Sequence, residues 1–106
     1  MSPKNILIAD DEIAIQQLIE KLLRNEEYTL FFASDGQEAV NLARKHPLDL
    51  AILDLVMPKM GGLESLKEIK AIDERIEVLI ITGNAELGGL ERAFFKHGAF
   101  DYLIKP

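Results

Sequence analysis

Five short apolar runs, each bounded by charged or turn-forming residues, constrain this chain more than any other feature. Continuous apolar runs of about four to eight residues are typical of strands buried on both faces of a parallel sheet. The third run is the clearest, because Leu50-Ala51-Ile52-Leu53 leads directly into Asp54 and Met57-Pro58 then turns the chain away. The runs predict strands β1 to β5 at residues 5–9, 28–33, 50–54, 77–82 and 101–104.

The segments between these strands carry apolar residues at helical spacing, which predicts four helices. Helix α1 covers residues 13–24, and α2 follows the capping residues Ser34 and Asp35 and ends at His46-Pro47. Helix α3 covers residues 63–72, and α4 extends from an N-cap at Asn84 to residue 97, with Gly88-Gly89 in its first turns. Strands that alternate with helices predict an α/β fold, in which helices cover both faces of a parallel sheet.

Composition excludes several classes of protein. The 106 residues predict one domain, 1–106, and the net charge of −6 argues against direct binding of nucleic acid or of anionic membranes. The chain has no cysteine, so disulfides, zinc-thiolate sites and cysteine nucleophiles are excluded. The polar N-terminal residues resemble neither a signal peptide nor a membrane span, and a cytoplasmic location is expected.

Polar residues end four of the five predicted strands. Asp10-Asp11 follows β1, Asp54 ends β3, Thr82 ends β4 and Lys105 follows β5. The carboxyl ends of parallel strands share one edge of a sheet, where open α/β sheets bind their ligands. Adjacent strands are only about 4.8 Å apart, so these groups can meet around one ligand.

Each residue alone has an ordinary structural explanation. Asp10, Asp11 and Glu12 could simply be acids that favour the N-terminus of α1, and Lys105 could be a solvated charge. Together, however, clustered carboxylates repel one another unless a cation is present, and their oxygen ligands suit Mg²⁺. A magnesium ion beside a carboxylate, a hydroxyl and an ammonium group favours phosphoryl transfer with the carboxylate as nucleophile.

With these residues, the chain resembles the receiver domain of two-component response regulators. The resemblance rests on Asp10-Asp11, Asp54, the loop 57–62 (Met-Pro-Lys-Met-Gly-Gly), Thr82 and Lys105-Pro106, in the order and at the spacing of that family. It covers residue 5 to the last residue. It implies a flavodoxin-like, doubly wound, five-stranded parallel sheet with strand order 2-1-3-4-5.

The resemblance also implies a role for each matching residue. Asp54 would accept phosphate from a sensor histidine kinase and become 4-aspartylphosphate. The Mg²⁺ cofactor would be held by Asp11 directly, by Asp10 through water, by Asp54 and by the Val56 carbonyl. The remaining matches would bind the phosphoryl group and switch conformation, and they are Thr82, Tyr102 and Lys105. The Lys105–Pro106 bond would be cis.

Two further positions would set the lifetime of the phosphoryl group. Val56 and Asn84 lie two residues after Asp54 and Thr82, where the family tunes dephosphorylation. An apolar Val56 cannot orient an attacking water by hydrogen bonding, so we expect a phosphoryl group that is not especially short-lived. Gly88-Gly89 would lower the cost of remodelling α4, or would simply form a loose surface turn.

The resemblance predicts a signalling module rather than an enzyme, with two alternatives. A pseudo-receiver would bind a partner without phosphorylation, although all five key residues are present. An aspartyl-phosphate phosphatase usually needs a second acid at position 56, where this chain has Val. A nucleotide-binding domain is disfavoured because no glycine-rich loop follows β1.

The family normally continues into a fifth helix after Lys105-Pro106, where this sequence stops. Without that helix, we expect exposed apolar surface beside α1, which favours a partner or self-association. A truncated chain is the simplest explanation. A downstream output domain or protein is the other expected partner.

Overall fold

A five-stranded parallel sheet forms the centre of the computed structural model, which describes residues 4–24, 27–83 and 88–105. The strands lie in the order β2-β1-β3-β4-β5, as predicted. Their bounds are β1 Lys4–Ala9, β2 Tyr28–Ala33, β3 Leu50–Asp54, β4 Glu77–Thr82 and β5 Asp101–Ile104. β1 and β3 lie in the middle of the sheet, and most of their residues are buried because helices pack on both faces of the sheet.

Four helices are described, and they cover the two faces of the sheet unequally. Their bounds are α1 Ile13–Leu23, α2 Gly36–Lys45, α3 Gly62–Ile72 and α4 Glu91–Lys96. The larger core packs α2, α3 and α4 against one face, with Leu53, Leu66 and Phe94 fully buried. Alone among the described helices, α1 packs against the smaller core on the other face, and none of its residues is fully buried.

An apolar cleft lies open beside α1, where exposed apolar surface was expected. Its volume is about 270 Å³, and it runs between α1 and the edge of β5. Leu22 is 72% exposed and Leu103 is 53% exposed at its rim. The side chains of α1 therefore reach the sheet on one flank and solvent on the other, which explains how an amphipathic helix remains unburied.

The region of α4 differs from the prediction. The described helix begins at Glu91, after Gly88 and Gly89, whose φ angles are 49° and 80°. Left-handed backbone of this kind is accessible to glycine at little cost and does not continue a right-handed helix. The placement of Gly88-Gly89 within α4 was therefore wrong, and alanine there would be strained whatever its effect on signalling. The predicted N-cap, Asn84, lies outside the described residues.

The loop after β3 contains one strained residue. Lys59 has a φ of 67°, which is uncommon for a residue with a side chain. Its Nζ lies 3.5 Å from Asp35 Oδ2, and Asp35 in turn caps α2 by accepting a hydrogen bond of 2.8 Å from the Glu38 backbone N–H. The side chain of Lys59 thus ties this loop to the start of α2.

None of the described helices is long and apolar enough to cross a membrane.

Candidate functional site

Backbone hydrogen bonds bring the predicted site residues to one edge of the sheet. At the ends of β1, β3 and β5, these bonds extend the strand pairing by one residue. Asp10 N–H donates to the Ala33 carbonyl at 3.0 Å, and Lys105 N–H donates to the Thr82 carbonyl at 2.8 Å. Leu55 N–H donates to the Ile81 carbonyl at 2.9 Å, which fixes the direction of the chain after Asp54. Asp10, Asp54 and Lys105, which belong to three distant segments of the sequence, therefore meet at one place.

Lys105 is the centre of the cluster. Its Nζ lies 3.1 Å from Asp54 Oδ2, 3.0 Å from Asp10 Oδ2 and 2.7 Å from Glu12 Oε1. The side chain of Lys105 is 14% exposed, so the ammonium group is largely shielded from water. One cation thus contacts three carboxylates, two of which are buried.

The carboxyl group of Asp54 is costly to ionise in this environment. Burial and, to a smaller extent, the nearby charge of Asp10 raise the pKa of Asp54, which lies at about 6 compared with an ordinary 3.8. The hydrogen bond from Lys105 opposes these effects but does not cancel them. The Asp54 carboxyl group is therefore ionised at neutral pH, but its pKa is closer to neutral pH than that of an exposed aspartate.

The three acidic neighbours of Lys105 raise the pKa of its ammonium group. Partial burial by itself would lower the pKa of Lys105, but the contacts with Glu12, Asp10 and Asp54 outweigh burial and raise the pKa above its ordinary value. The ammonium group is therefore charged throughout the physiological range.

The carboxylates also fit a divalent cation. Oxygen atoms of Asp10, Glu12 and Asp54 all lie within 4.8 Å of one another. Asp10 is fully buried, and its Oδ2 makes no hydrogen bond within the described residues, although it lies at ion-pair distance from Lys105. A buried carboxylate oxygen without a hydrogen-bond donor is an available ligand for a hard cation such as Mg²⁺.

Asp11 and Val56 line the same cleft. The cleft holds about 290 Å³, and its other lining residues are Glu12, Asp54, Gly83 and Lys105. Asp11 is exposed and does not belong to the carboxylate cluster, whereas Glu12 does. The backbone N–H of Val56 lies 3.5 Å from Asp54 Oδ1, and its side chain is 57% exposed toward solvent.

Thr82 and Tyr102 lie near the cluster without contacting the carboxylates in the described part of the chain. Thr82 is fully buried, and its hydroxyl donates to the Gly83 carbonyl at 3.2 Å. Tyr102 is half-buried, with its ring 6.1 Å from that of Phe94 and 6.2 Å from that of Phe95. The predicted residues Asn84 and Pro106, and with Pro106 the predicted cis bond, fall outside the described residues.

Two glycines, neither of which was predicted to have a role at the site, support it. A Cβ atom on Gly62 would lie 2.4 Å from the Asp54 carbonyl oxygen, and one on Gly36 would lie 1.9 Å from the Met60 carbonyl oxygen. The N-termini of α3 and α2 therefore approach the loop around Asp54 more closely than any residue with a side chain allows. The Gly-Gly pair at 61–62 was visible in the sequence, but its contacts were not.

The sequence matches one family over nearly its whole length. The sequence model described as "response regulator receiver domain" matches residues 6–106. Transcriptional regulatory protein ZraR of Escherichia coli K12 is 39% identical over 102 residues, which are 96% of this chain but 23% of ZraR. Sporulation initiation phosphotransferase F of Bacillus subtilis is 37% identical over 106 residues, which are 100% of this chain and 85% of that protein. The chain thus spans about a quarter of one relative and most of the other.

Solved structures give the same match in three dimensions. A CheY-like response regulator receiver domain protein from Methanospirillum hungatei superposes with a TM-score of 0.91 at 30% identity, covering 99% of this chain and 83% of that one. CheY of Borrelia burgdorferi, in a complex with CheX, BeF₃ and Mg²⁺, superposes with a TM-score of 0.90 at 30% identity, covering 98% and 79%.

Proposed function

The chain belongs to the response regulator receiver domain family of two-component signalling, and on that premise we propose that Asp54 accepts a phosphoryl group from a sensor histidine kinase. A carboxylate oxygen of Asp54 forms the new P–O bond while the P–N bond of the kinase phosphohistidine breaks, and the imidazole nitrogen keeps the electron pair. The domain serves as the acceptor in this transfer and is not an enzyme in its own right.

One observation carries the proposal, namely the ammonium group of Lys105 beside a buried Asp54. Asp54 is 4% exposed, yet its Oδ2 remains at the edge of an open cleft and 3.1 Å from Lys105 Nζ. A positive charge at this position stabilises the extra negative charge that phosphorylation brings, about −1.5 to −2 at neutral pH. Asp10 supplies no comparable acceptor, because it is fully buried and, unlike Asp54, does not line the cleft.

The same residues are suited to hold Mg²⁺. We assign the ion to Asp10, Asp11, Asp54 and the Val56 carbonyl. Asp11, Asp54 and Val56 line the cleft, and an Asp10 oxygen lies within 4.8 Å of an Asp54 oxygen. When bound, Mg²⁺ neutralises negative charge on the transferring phosphoryl group. Asp10 and Asp54, at the ends of β1 and β3, fix the position of the proposed ion site relative to the sheet. The hydrogen bond from Lys105 holds the Asp54 carboxylate in place. The Borrelia CheY neighbour, whose complex contains BeF₃ and Mg²⁺, supports this assignment.

Thr82, Tyr102 and Lys105 are the residues that we propose to respond to phosphorylation. Among the described residues, the Thr82 hydroxyl donates to the Gly83 carbonyl alone, so a phosphoryl oxygen can replace that acceptor. Tyr102, at the start of β5, has its ring 6.1 Å from that of Phe94 and 6.2 Å from that of Phe95, and we propose that it changes position when Thr82 moves. A phosphoryl group shifts the population only if contacts of this kind differ between the two states.

Incubation with Mg²⁺ and acetyl phosphate tests the proposed function. Intact-mass measurement is expected to show one added phosphoryl group on the parent and none on an Asp54→Asn variant, because an amide oxygen is a far weaker nucleophile. Omission of Mg²⁺ is expected to suppress the gain. A parent whose mass does not change would refute the proposal, and equal gains in parent and variant would refute Asp54 as the acceptor.

Val56 is expected to lengthen the life of the phosphoryl group. Its exposed side chain borders the cleft but offers no hydrogen bond to an attacking water. A Val56→Asn variant should lose phosphate faster, by up to about tenfold, a small part of what a positioned proton-transfer group contributes. The rate is measured from the decay of the phosphorylated mass, with Val56→Ala as the apolar control. Equal decay in all three proteins would count against a role for position 56.

The partner on the input side is a histidine kinase or a phosphotransfer protein, since receiver domains take phosphate from phosphohistidine. Ypd1 is the histidine phosphotransfer partner in the structure of another neighbour, the receiver domain of Saccharomyces cerevisiae Ssk1. On the output side we propose a protein partner or a linked domain, because ZraR and similar relatives are several times longer than the matched region. The net charge of −6 disfavours direct contact between this domain and DNA.

A further inference from the structure

The shortest contact of Lys105 is with Glu12, a residue that the phosphoacceptor role does not require. The distance from Nζ to Glu12 Oε1 is 2.7 Å, compared with 3.0 Å to Asp10 and 3.1 Å to Asp54. Lys105 Nζ donates hydrogen bonds to Glu12 and Asp54 and lies at ion-pair distance from Asp10, so three carboxylates share one positive charge. A phosphoryl group on Asp54 therefore competes with Glu12 and Asp10 for Lys105.

Exposure identifies the carboxylate that is easiest to release. The side chain of Glu12 is 59% exposed, whereas those of Asp10 and Asp54 are 0% and 6% exposed. Glu12 can exchange Lys105 for water with little change in solvation, whereas a buried carboxylate that lost its cation would remain unpaired. Glu12 is therefore the exchangeable partner of the three.

The start of α1 gives a second, independent indication. Glu12 occupies the N-cap position, with an extended backbone (φ −92°, ψ 110°), but its side chain makes no capping hydrogen bond among the described residues. Glutamate is not among the residues preferred at this position, where Ser, Thr, Asp and Asn cap with a short side chain. The longer side chain instead reaches Lys105, 93 positions away in the sequence.

We propose that Glu12 is a positioning residue that competes with the phosphoryl group for Lys105. In the resting domain Glu12 shares the ammonium group with Asp54, and the incoming phosphoryl group displaces Glu12. Glu12 thereby lowers the affinity of the site for a phosphoryl group and sets how far phosphorylation shifts the population. This inference rests on the proposed function of Asp54 and Lys105.

Equilibrium binding of BeF₃⁻, a phosphoryl analogue, tests this competition at saturating Mg²⁺ without covalent chemistry. Loss of the partly exposed Glu12–Lys105 pair is expected to tighten BeF₃⁻ binding by about two- to tenfold in a Glu12→Gln variant, given what exposed ion pairs contribute. Binding is followed by NMR shifts of the cleft residues. Glu20→Gln removes the same charge from α1 at a residue that pairs with Arg24, and it is expected to leave the affinity unchanged.

A Glu12→Asp variant separates contact from charge. The shorter side chain keeps the negative charge, cannot span the same distance to Lys105, and is suited to cap α1 instead. Competition for Lys105 predicts that this variant also binds BeF₃⁻ more tightly than the parent, and that it unfolds at the same or a higher temperature. A general effect of negative charge on an anionic ligand predicts no tightening.

The outcomes distinguish this inference from the proposed function. Tighter binding in both Glu12 variants supports the competition. Unchanged or weaker binding in Glu12→Gln overturns it, as does tightening in Glu12→Gln alone. If the parent gains phosphate from acetyl phosphate but its affinity for BeF₃⁻ does not depend on Glu12, the proposed function stands and only this inference fails. A parent that neither gains phosphate nor binds BeF₃⁻ refutes both.

Discussion

An Asp54→Asn variant is expected to be more stable than the parent above pH 6, even though it can no longer accept phosphate. Burial raises the pKa of Asp54 from 3.8 to about 6, so the folded state binds its proton more tightly than the unfolded state. A pKa difference of this size corresponds to about 3 kcal/mol. That pKa already includes the Lys105 contact, but water in the open cleft screens the charge of Asp54, so we expect the variant to gain about 1–3 kcal/mol in its free energy of unfolding.

The pH dependence follows from the sign of the same shift. A carboxyl group whose folded pKa is raised contributes its stability fully below its unfolded value of 3.8 and loses it as pH rises through about 6. Stability of the parent should therefore decline across this window relative to Asp54→Asn, and the difference should level off above it. Urea unfolding at a series of pH values, without Mg²⁺, measures the effect.

Two controls test the explanation. Asp73 is paired with Arg75, whose hydrogen bonds lower the pKa of the Asp73 carboxyl, so an Asp73→Asn variant should show no gain at neutral pH. Saturating Mg²⁺ should reduce the stability difference between Asp54→Asn and the parent, since only the parent offers the Asp54 carboxylate as a ligand and so binds the cation more tightly. If the difference between parent and Asp54→Asn did not change between pH 4 and 8, ionisation of Asp54 would not be its cause.

A Gly62→Ala variant is expected to lose both stability and phosphoryl uptake. The added Cβ would lie 2.4 Å from the Asp54 carbonyl oxygen and 2.8 Å from Leu55 Cα. Both are backbone atoms at the end of β3, so the overlap is relieved only by moving either α3 or the segment that carries Asp54. Overpacking of this kind costs about 1–3 kcal/mol or more, and we expect the upper part of that range.

Gly61→Ala is the matched control for this prediction. Its Cβ would meet only the Leu55 carbonyl oxygen, at 3.1 Å, and Gly61 has an ordinary φ of −74°. Denaturant unfolding and the mass gain with acetyl phosphate should place Gly61→Ala near the parent and Gly62→Ala well below it. Equal behaviour of the two variants would show that close approach of α3 to Asp54 does not shape the site.

Most of the fold could be predicted because its strands and helices follow from local patterns of apolar residues in the sequence. The strands at 28–33, 50–54, 77–82 and 101–104 were predicted with the bounds they have, since buried strands appear as short apolar runs. The predicted start of α4 was wrong. The prediction relied on the helical spacing of Leu87 and Leu90, and this spacing does not reveal that Gly88 and Gly89 adopt left-handed backbone.

The sequence by itself determined which groups end the strands, and hence that Asp10, Asp54, Thr82 and Lys105 share one edge of the sheet. This follows because parallel pairing aligns the carboxyl ends of strands wherever they occur in the chain. Only the tertiary structure decided how those groups contact one another. It joined Lys105 to Glu12 rather than leaving Glu12 as a helix-terminal acid, and it excluded Asp11 from the carboxylate cluster. Side-chain reach and burial, which depend on packing between distant segments, are absent from local patterns.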